Sequence, residues 1–163
     1  MKTIIFALIF VIASLMLAMP SYSQTSFNDA LAKAKSEDKR VIIDIYTDWC
    51  GWCKKMDEEV YSNKKIKKII EESFVFVKLD AESNDKVKYN GKSISLSDLA
   101  LQFNAVGYPT TVFLEPDGKL IEIKYDNSVM KNIPGYYTAK EFKKILEFIR
   151  DGKYKDEDLS KTI

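Results

Sequence analysis

Apolar residues fall along this chain in two rhythms, and the changes of rhythm mark its elements. Val41-Ile42-Ile43-Asp44-Ile45-Tyr46 is apolar on both faces except at Asp44, the pattern of a strand buried within a sheet. Phe74-Val75-Phe76-Val77-Lys78-Leu79-Asp80 reads as a second central strand. Between them, residues 54–60 read as a helix, and Ser62-Asn63 breaks it and caps the next. Ile66, Ile69 and Ile70 make one stripe on that next helix, which is otherwise mostly Lys and Glu. Upstream, Phe27, Ala30, Leu31 and Ala34 have helical spacing, with Thr25 or Ser26 as the cap.

Downstream, residues 81–95 are polar, and Tyr89-Asn90-Gly91-Lys92 signals a tight turn in a small hairpin. Residues 97–103 predict a short helix and 110–114 a strand. Pro116-Asp117-Gly118-Lys119 is a turn, and 120–125 is the strand returning from it. Thr138-Ala139-Lys140-Glu141 is a capping box opening a helix with Phe142, Ile145, Leu146 and Ile149 on one face, ended by Gly152. Residues 153–163 read as a loosely attached tail. Strands joined through helices give a parallel core, and the last hairpin adds an antiparallel edge. The predicted class is α/β, a central mixed sheet with helices on both faces.

Length allows one domain of 163 residues with a sizeable core. The amino terminus is separate from it. Lys2, an apolar run over 4–19, Pro20, and small residues at Ser21 and Ser23 make a secretory signal cut after Ser23. An uncleaved membrane anchor is the alternative, which Pro20 and the small-x-small pattern disfavour. The expected organisation is therefore a signal over 1–23, a domain over 24–152 and the tail, with the protein exported to the periplasm or another extracytoplasmic space. Residues 1–23 contribute Lys2 and no acid, so 24 basic residues face 24 acidic ones in the remainder. That balance gives no reason to propose nucleic acid or an anionic membrane surface as partner. The Lys-rich segments read as solvated helix faces.

The chemistry lies in Trp49-Cys50-Gly51-Trp52-Cys53-Lys54, which holds both cysteines where a strand hands over to the first turn of a helix. Unpaired backbone N–H groups and the helix dipole favour thiolate there. Zinc wants four ligands, usually Cys and His, and a cysteine hydrolase needs a base, usually His; this chain has no His. Haem attachment through Cys-x-x-Cys requires His next, and position 54 is Lys. Thiol–disulfide exchange needs only two thiols and a route for protons, and calls for no cofactor. Cys50, nearer the helix end and the surface, is expected to attack, and Cys53, one turn further in, to resolve the mixed disulfide. Asp44 is the candidate proton acceptor for Cys53, because a carboxylate in an apolar strand has a raised pKa. Lys78 either modulates Asp44 or is an ordinary strand-end lysine. A purely structural disulfide across so short a loop would add only about 2 kcal/mol.

Residues 41–54, Val-Ile-Ile-Asp-Ile-Tyr-Thr-Asp-Trp-Cys-Gly-Trp-Cys-Lys, resemble the active-site strand and helix of thioredoxins. Gly107-Tyr108-Pro109-Thr110 resembles their loop carrying a cis-proline, and Val77-Lys78-Leu79-Asp80 and Gly135 fall where thioredoxins have counterparts. The resemblance covers roughly residues 26–150 and looks closest to exported thioredoxin-like proteins of the SoxW type and the DsbD C-terminal domain. The 84–95 insertion and Pro134-Gly135-Tyr136-Tyr137 point the same way. It implies a thioredoxin fold, a cis Pro109, and a Tyr108 backbone that pairs with an extended substrate segment. Read from the residues alone, Pro109 is a strand-entry proline and Trp49 and Trp52 are either core or a partly exposed apolar rim; the resemblance favours the rim, with Trp49, Gly51 and Trp52 joining Tyr108 and Pro109 in receiving the partner's cysteine segment. Trp52 stands where typical cytosolic thioredoxins have Pro, so neither a potential near −270 mV nor one near −120 mV follows.

The expected function is exported thiol–disulfide oxidoreduction, in the direction of a reductase. Its partners would be disulfide-containing proteins and a membrane electron donor of the DsbD or CcdA kind, and the chain is expected to be a monomer. An oxidase or isomerase of secreted disulfides, and a non-catalytic thioredoxin-fold binding module, are the alternatives.

Overall fold

The computed structural model describes residues 26–163; the signal segment 1–23 and its cleavage point lie outside the described residues. Ser26 caps α1 (Phe27–Glu37), accepting the Asp29 N–H at 3.2 Å. There follow β1 (Arg40–Tyr46), α2 (Gly51–Met56), a π turn (Asp57–Tyr61), α3 (Lys64–Ser73) and β2 (Phe74–Asp80). The 84–95 insertion is a hairpin, β3 (Lys86–Tyr89) and β4 (Lys92–Ser95), turning at Asn90-Gly91 with both φ angles positive. Next come α4 (Leu96–Gln102), β5 (Thr110–Leu114), β6 (Ile123–Tyr125), β7 (Ser128–Met130), β8 (Ile133–Pro134) and α5 (Ala139–Arg150). Both arms of the capping box on α5 are formed.

One four-stranded sheet, in the order β2-β1-β5-β8, carries the molecule. β1 is parallel to β2, and β5 runs antiparallel to both β1 and β8. Period-2 alternation divides its side chains between two cores. Val41, Ile43 and Ile45 join Phe27, Leu99 and Phe103 on the α1/α4 side. Ile42, Phe74 and Phe113 join Ile66, Phe142 and Ile145 on the α3/α5 side. Each such burial is worth about 1.5–3 kcal/mol. On the second face, the row Phe76–Ile42–Phe113 is followed two residues along by Lys78–Asp44–Thr111. The apolar stripe gives way to a polar row beneath the cysteine helix.

Two expectations fail. Segment 110–114 is no edge strand, since β5 lies inside the sheet and β8 forms the edge. The 120–125 segment touches β5 only through the Leu114–Leu120 bridge and a 2.9 Å hydrogen bond from Ile121 N–H to the Phe113 carbonyl. Beyond that it pairs forward with β7. Asp126 and Asn127 both have positive φ (46° and 63°), the backbone of a two-residue hairpin turn, and that local closure takes the strand away from β5. Second, residues 153–163 are not a loose tail. Tyr154 and Leu159 are buried in the α3/α5 core. The Tyr154 hydroxyl donates to Glu115 at 2.5 Å, and Arg40 Nε donates to that hydroxyl at 3.2 Å and to the same carboxylate at 3.3 Å.

Candidate functional site

Cys50 and Cys53 form a disulfide across the first turn of α2. Cys50 is the N-cap, with extended φ and ψ, and its Sγ accepts the Cys53 N–H at 3.0 Å. Cys53 is one turn inside. The expectation that Cys50 lies nearer the surface fails: the disulfide is buried at both ends, at 4% exposure for Cys50 and 2% for Cys53, so position on the helix is what distinguishes the two sulfurs. Gly51 is exposed, and a Cβ at that position would meet nothing within 4 Å, which leaves open space beside the sulfurs.

Above the disulfide stand two exposed tryptophans, each held by a tyrosine. Trp49 meets Tyr108 edge-on, with ring centroids 6.0 Å apart, and its Nε1 donates to Glu82 at 3.0 Å. Trp52 tilts against Tyr136 at 5.4 Å, and Lys55 Nζ lies 5.2 Å and 5.3 Å from the two ring centroids. The Tyr136 hydroxyl donates to Glu59 at 2.5 Å. Such ring pairs contribute about 0.5–1.5 kcal/mol beyond burial, enough to orient an exposed indole. The Tyr108-Pro109 bond is cis, as expected, and Gly135 N–H donates to the Pro109 carbonyl at 2.8 Å. Gly135 takes φ +91°, a conformation side chains avoid, to make that contact.

Below the disulfide lies the polar row. Asp44 is buried, and Lys78 Nζ stands 3.3 Å from its Oδ2 as an ion pair whose alignment does not make a hydrogen bond. The same ammonium donates to both oxygens of Asp57, at 2.7 Å and 2.6 Å, and lies 4.7 Å from the centroid of the Tyr46 ring. Burial pushes the Asp44 carboxyl up to about 6; Lys78 opposes the shift and the Asp57 charge adds to it. Burial also opposes the Lys78 charge, yet Asp44 and then Asp57 more than offset it, and Lys78 stays protonated. A cleft of about 220 Å³ lined by Cys53, Thr47, Asp57 and Lys78 joins this network to the second cysteine.

The structure therefore brings together Cys50, Cys53, Trp49, Trp52, Tyr108 and Pro109 at one end of the sheet. Lys78 is joined to Asp44 and opens on the Cys53 cleft. Sequence reasoning missed Asp57, Glu82 and a role for Tyr136. Asp57 had a usable signal, since it is four residues after Cys53 on the same helix face. Glu82 and Tyr136 had none.

The sequence matches the thioredoxin-like domain family over residues 27–150. A protein disulfide-isomerase of Hordeum vulgare is 32% identical over 119 residues, 71% of this chain and 17% of that protein. The thiol:disulfide interchange protein DsbD of Actinobacillus pleuropneumoniae is 25% identical over 107 residues, 66% of this chain and 16% of that protein. The chain thus spans less than a fifth of the length of these curated relatives. Among solved structures, a thioredoxin-fold protein from Helicobacter pylori superposes with a TM-score of 0.60 at 29% identity, covering 77% of this chain and 80% of that one. The oxidised DsbD C-terminal domain of Neisseria meningitidis has a TM-score of 0.51 at 21% identity, covering 76% and 90%, a likeness of fold alone. Sheet order, a CxxC disulfide at a strand-to-helix junction and the match over 27–150 agree, and this chain belongs to the thioredoxin-like domain family.

Proposed function

We propose that the chain is an exported thiol–disulfide oxidoreductase acting as a disulfide reductase on proteins. In the reduced form, the Cys50 thiolate attacks a substrate disulfide. A bond forms between Cys50 Sγ and one substrate sulfur, and the other leaves as a thiolate that takes up a proton. Cys53 gives its proton to Asp44 and attacks Cys50 Sγ. The intramolecular disulfide forms and the second substrate sulfur leaves, so two electrons pass from the chain to the substrate. Trp49, Gly51, Trp52, Tyr108 and Pro109 receive the segment around the substrate cysteine. The amino-terminal signal pattern supports export, and among the described residues no helix is long and apolar enough to cross a membrane. Outside the cytoplasm the pair needs a donor of electrons, and a membrane thiol donor of the DsbD or CcdA kind fills that role for a monomeric domain.

The observation that carries this reading is the Cys50–Cys53 disulfide set between an exposed aromatic rim and a buried carboxylate whose pKa is raised to about 6. A base near the operating pH is what deprotonation of a sheltered thiol requires. The name of the barley relative, a protein disulfide-isomerase, favours an oxidase or isomerase as the second reading. The reduction potential decides between them. A value between about −230 and −270 mV is expected for the reductase, one near −180 mV favours the isomerase, and one near −120 mV sinks the reductase reading. Cys53→Ala should trap disulfide substrates on Cys50; capture by Cys50→Ala instead would reverse the assigned roles.

A further inference from the structure

The helix after the cysteines does not continue as an α-helix. Over Asp57–Tyr61 it widens into a π turn, in which Ser62 N–H reaches back to the Asp57 carbonyl at 3.1 Å. Such turns are rare and concentrate at functional sites. This one carries Tyr61 inward. The ring is wedged between Phe76, with centroids 4.9 Å apart, and Phe142 at 5.5 Å, so its orientation is fixed by packing.

The hydroxyl at the end of that ring is buried without an aligned hydrogen-bond partner. Among the described residues, the other buried side-chain oxygens in that condition are both oxygens of Asp44 and Thr47 Oγ1. A buried hydroxyl and a buried carboxylate are each costly to leave unpaired. The groups within electrostatic reach of the Tyr61 hydroxyl are Asp44, Asp57 and Thr111, and Thr111 is the cross-strand neighbour of Asp44. Tyr61 also lines, with Asp57 and Lys78, a cleft of about 250 Å³ on the outer side of the same network. Burial, and then the Asp44 charge, hold its phenol well above the usual range, so it keeps its proton wherever the cysteines react. Toward an ionised Asp44 it can act as a donor.

We propose that Tyr61 is a positioning residue for Asp44, its hydroxyl donating to the ionised carboxylate and so setting how readily Asp44 takes the proton of Cys53. The last step rests on the reading of Asp44 as the base; the proposed donation from Tyr61 to Asp44 does not. Asp44 is faced by Lys78 from β2, Thr111 from β5, and Asp57 and Tyr61 from the π turn. Lys78 and Tyr61 favour the carboxylate, whereas burial and Asp57 oppose it.

The test is Tyr61→Phe, which keeps the ring in its aromatic clamp and removes only the oxygen. Carbon-13 NMR of the full, oxidised chain follows the Asp44 carboxyl against pH, with Asp44→Asn identifying its resonance. The Asp44 midpoint, about 6 in the parent, should rise by roughly half to one pH unit, a change of about 3- to 10-fold in proton affinity. An unchanged midpoint in folded Tyr61→Phe overturns the proposal. In the parent, the Tyr61 Cζ resonance should titrate with the Asp44 midpoint, and a flat Tyr61 signal overturns it without any variant. Neither readout needs turnover. A moving midpoint in a chain that reduces no disulfide keeps the Tyr61 contact and discards the reductase reading.

Discussion

Above and below the Cys50–Cys53 disulfide, the protein uses opposite physics. The rim above is built from rings, exposed Trp49 on half-buried Tyr108 and exposed Trp52 on half-buried Tyr136, held by ring contacts and by surface contacts with Glu82, Glu59 and Lys55. The row below is built from charges, Asp44, Lys78 and Asp57, partly or wholly removed from water. Rim groups are individually cheap to lose. Each buried charge is expensive to keep, because desolvation penalises it and only its neighbours restore it. The exposed rim is therefore tolerant of substitution, and the buried row on the Cys53 cleft is finely poised.

Asp44→Asn should break this contrast most strongly. Loss of the base should slow resolution of the mixed disulfide by about 10²- to 10⁴-fold at pH 7, measured by quenched-flow trapping. The same change should stabilise the fold. The folded-state pKa of Asp44 is raised from 3.8 to about 6, so its ionisation opposes folding as pH rises through that window. Below pH 4 parent and variant should differ little; above pH 6 the variant should be more stable by roughly 2–3 kcal/mol in urea unfolding. A variant that is slower and also less stable at pH 7 would contradict the cost assigned to the buried carboxylate.

Lys78→Met should act less strongly and in one direction. Without the ammonium at 3.3 Å, the Asp44 midpoint should rise above 6 by about 1–3 units, read from its carboxyl resonance. The pH at which the pair exchanges fastest should follow it. A midpoint that falls would show that Lys78 does not hold the carboxylate ionised.

The smallest effect belongs to the rim. Trp52→Ala removes the contacts with Tyr136 and Lys55 and should raise KM for a protein disulfide by about 2- to 10-fold with kcat unchanged. Its unfolding free energy should change by about 0.5 kcal/mol or less, because the ring is exposed. A stability loss of several kcal/mol would place Trp52 in the core and erase the distinction between rim and base.

Legibility of these features in the sequence follows from how each declares itself. β1, β2, α3 and α5 are set by apolar periodicity over many residues, and the Thr138 and Asn90-Gly91 signals act locally, so pattern alone recovers them. β8 is two residues long and ends in Pro134, with no period to detect. The Asp126-Asn127 turn lacks glycine, which hides the hairpin that draws 123–125 away from β5. Tyr154 and Leu159 are single apolar positions in a charged segment, and only the groove between α5 and β6 makes them core. At the site, Asp44 declares itself as the lone acid in an apolar strand. Asp57 lies in the run Lys54-Lys55-Met56-Asp57-Glu58-Glu59, where only its place four residues after Cys53 sets it apart from a solvated face.

The hydrogen bond from Gly135 to Pro109 has a mechanical consequence for the cleft. One of its ends adjoins Tyr108, the support of Trp49; the other adjoins Tyr136, the support of Trp52. The footings of the two indoles are thus joined through one main-chain link, so that a shift of either tyrosine is passed to the other through the Gly135–Pro109 bond rather than absorbed locally.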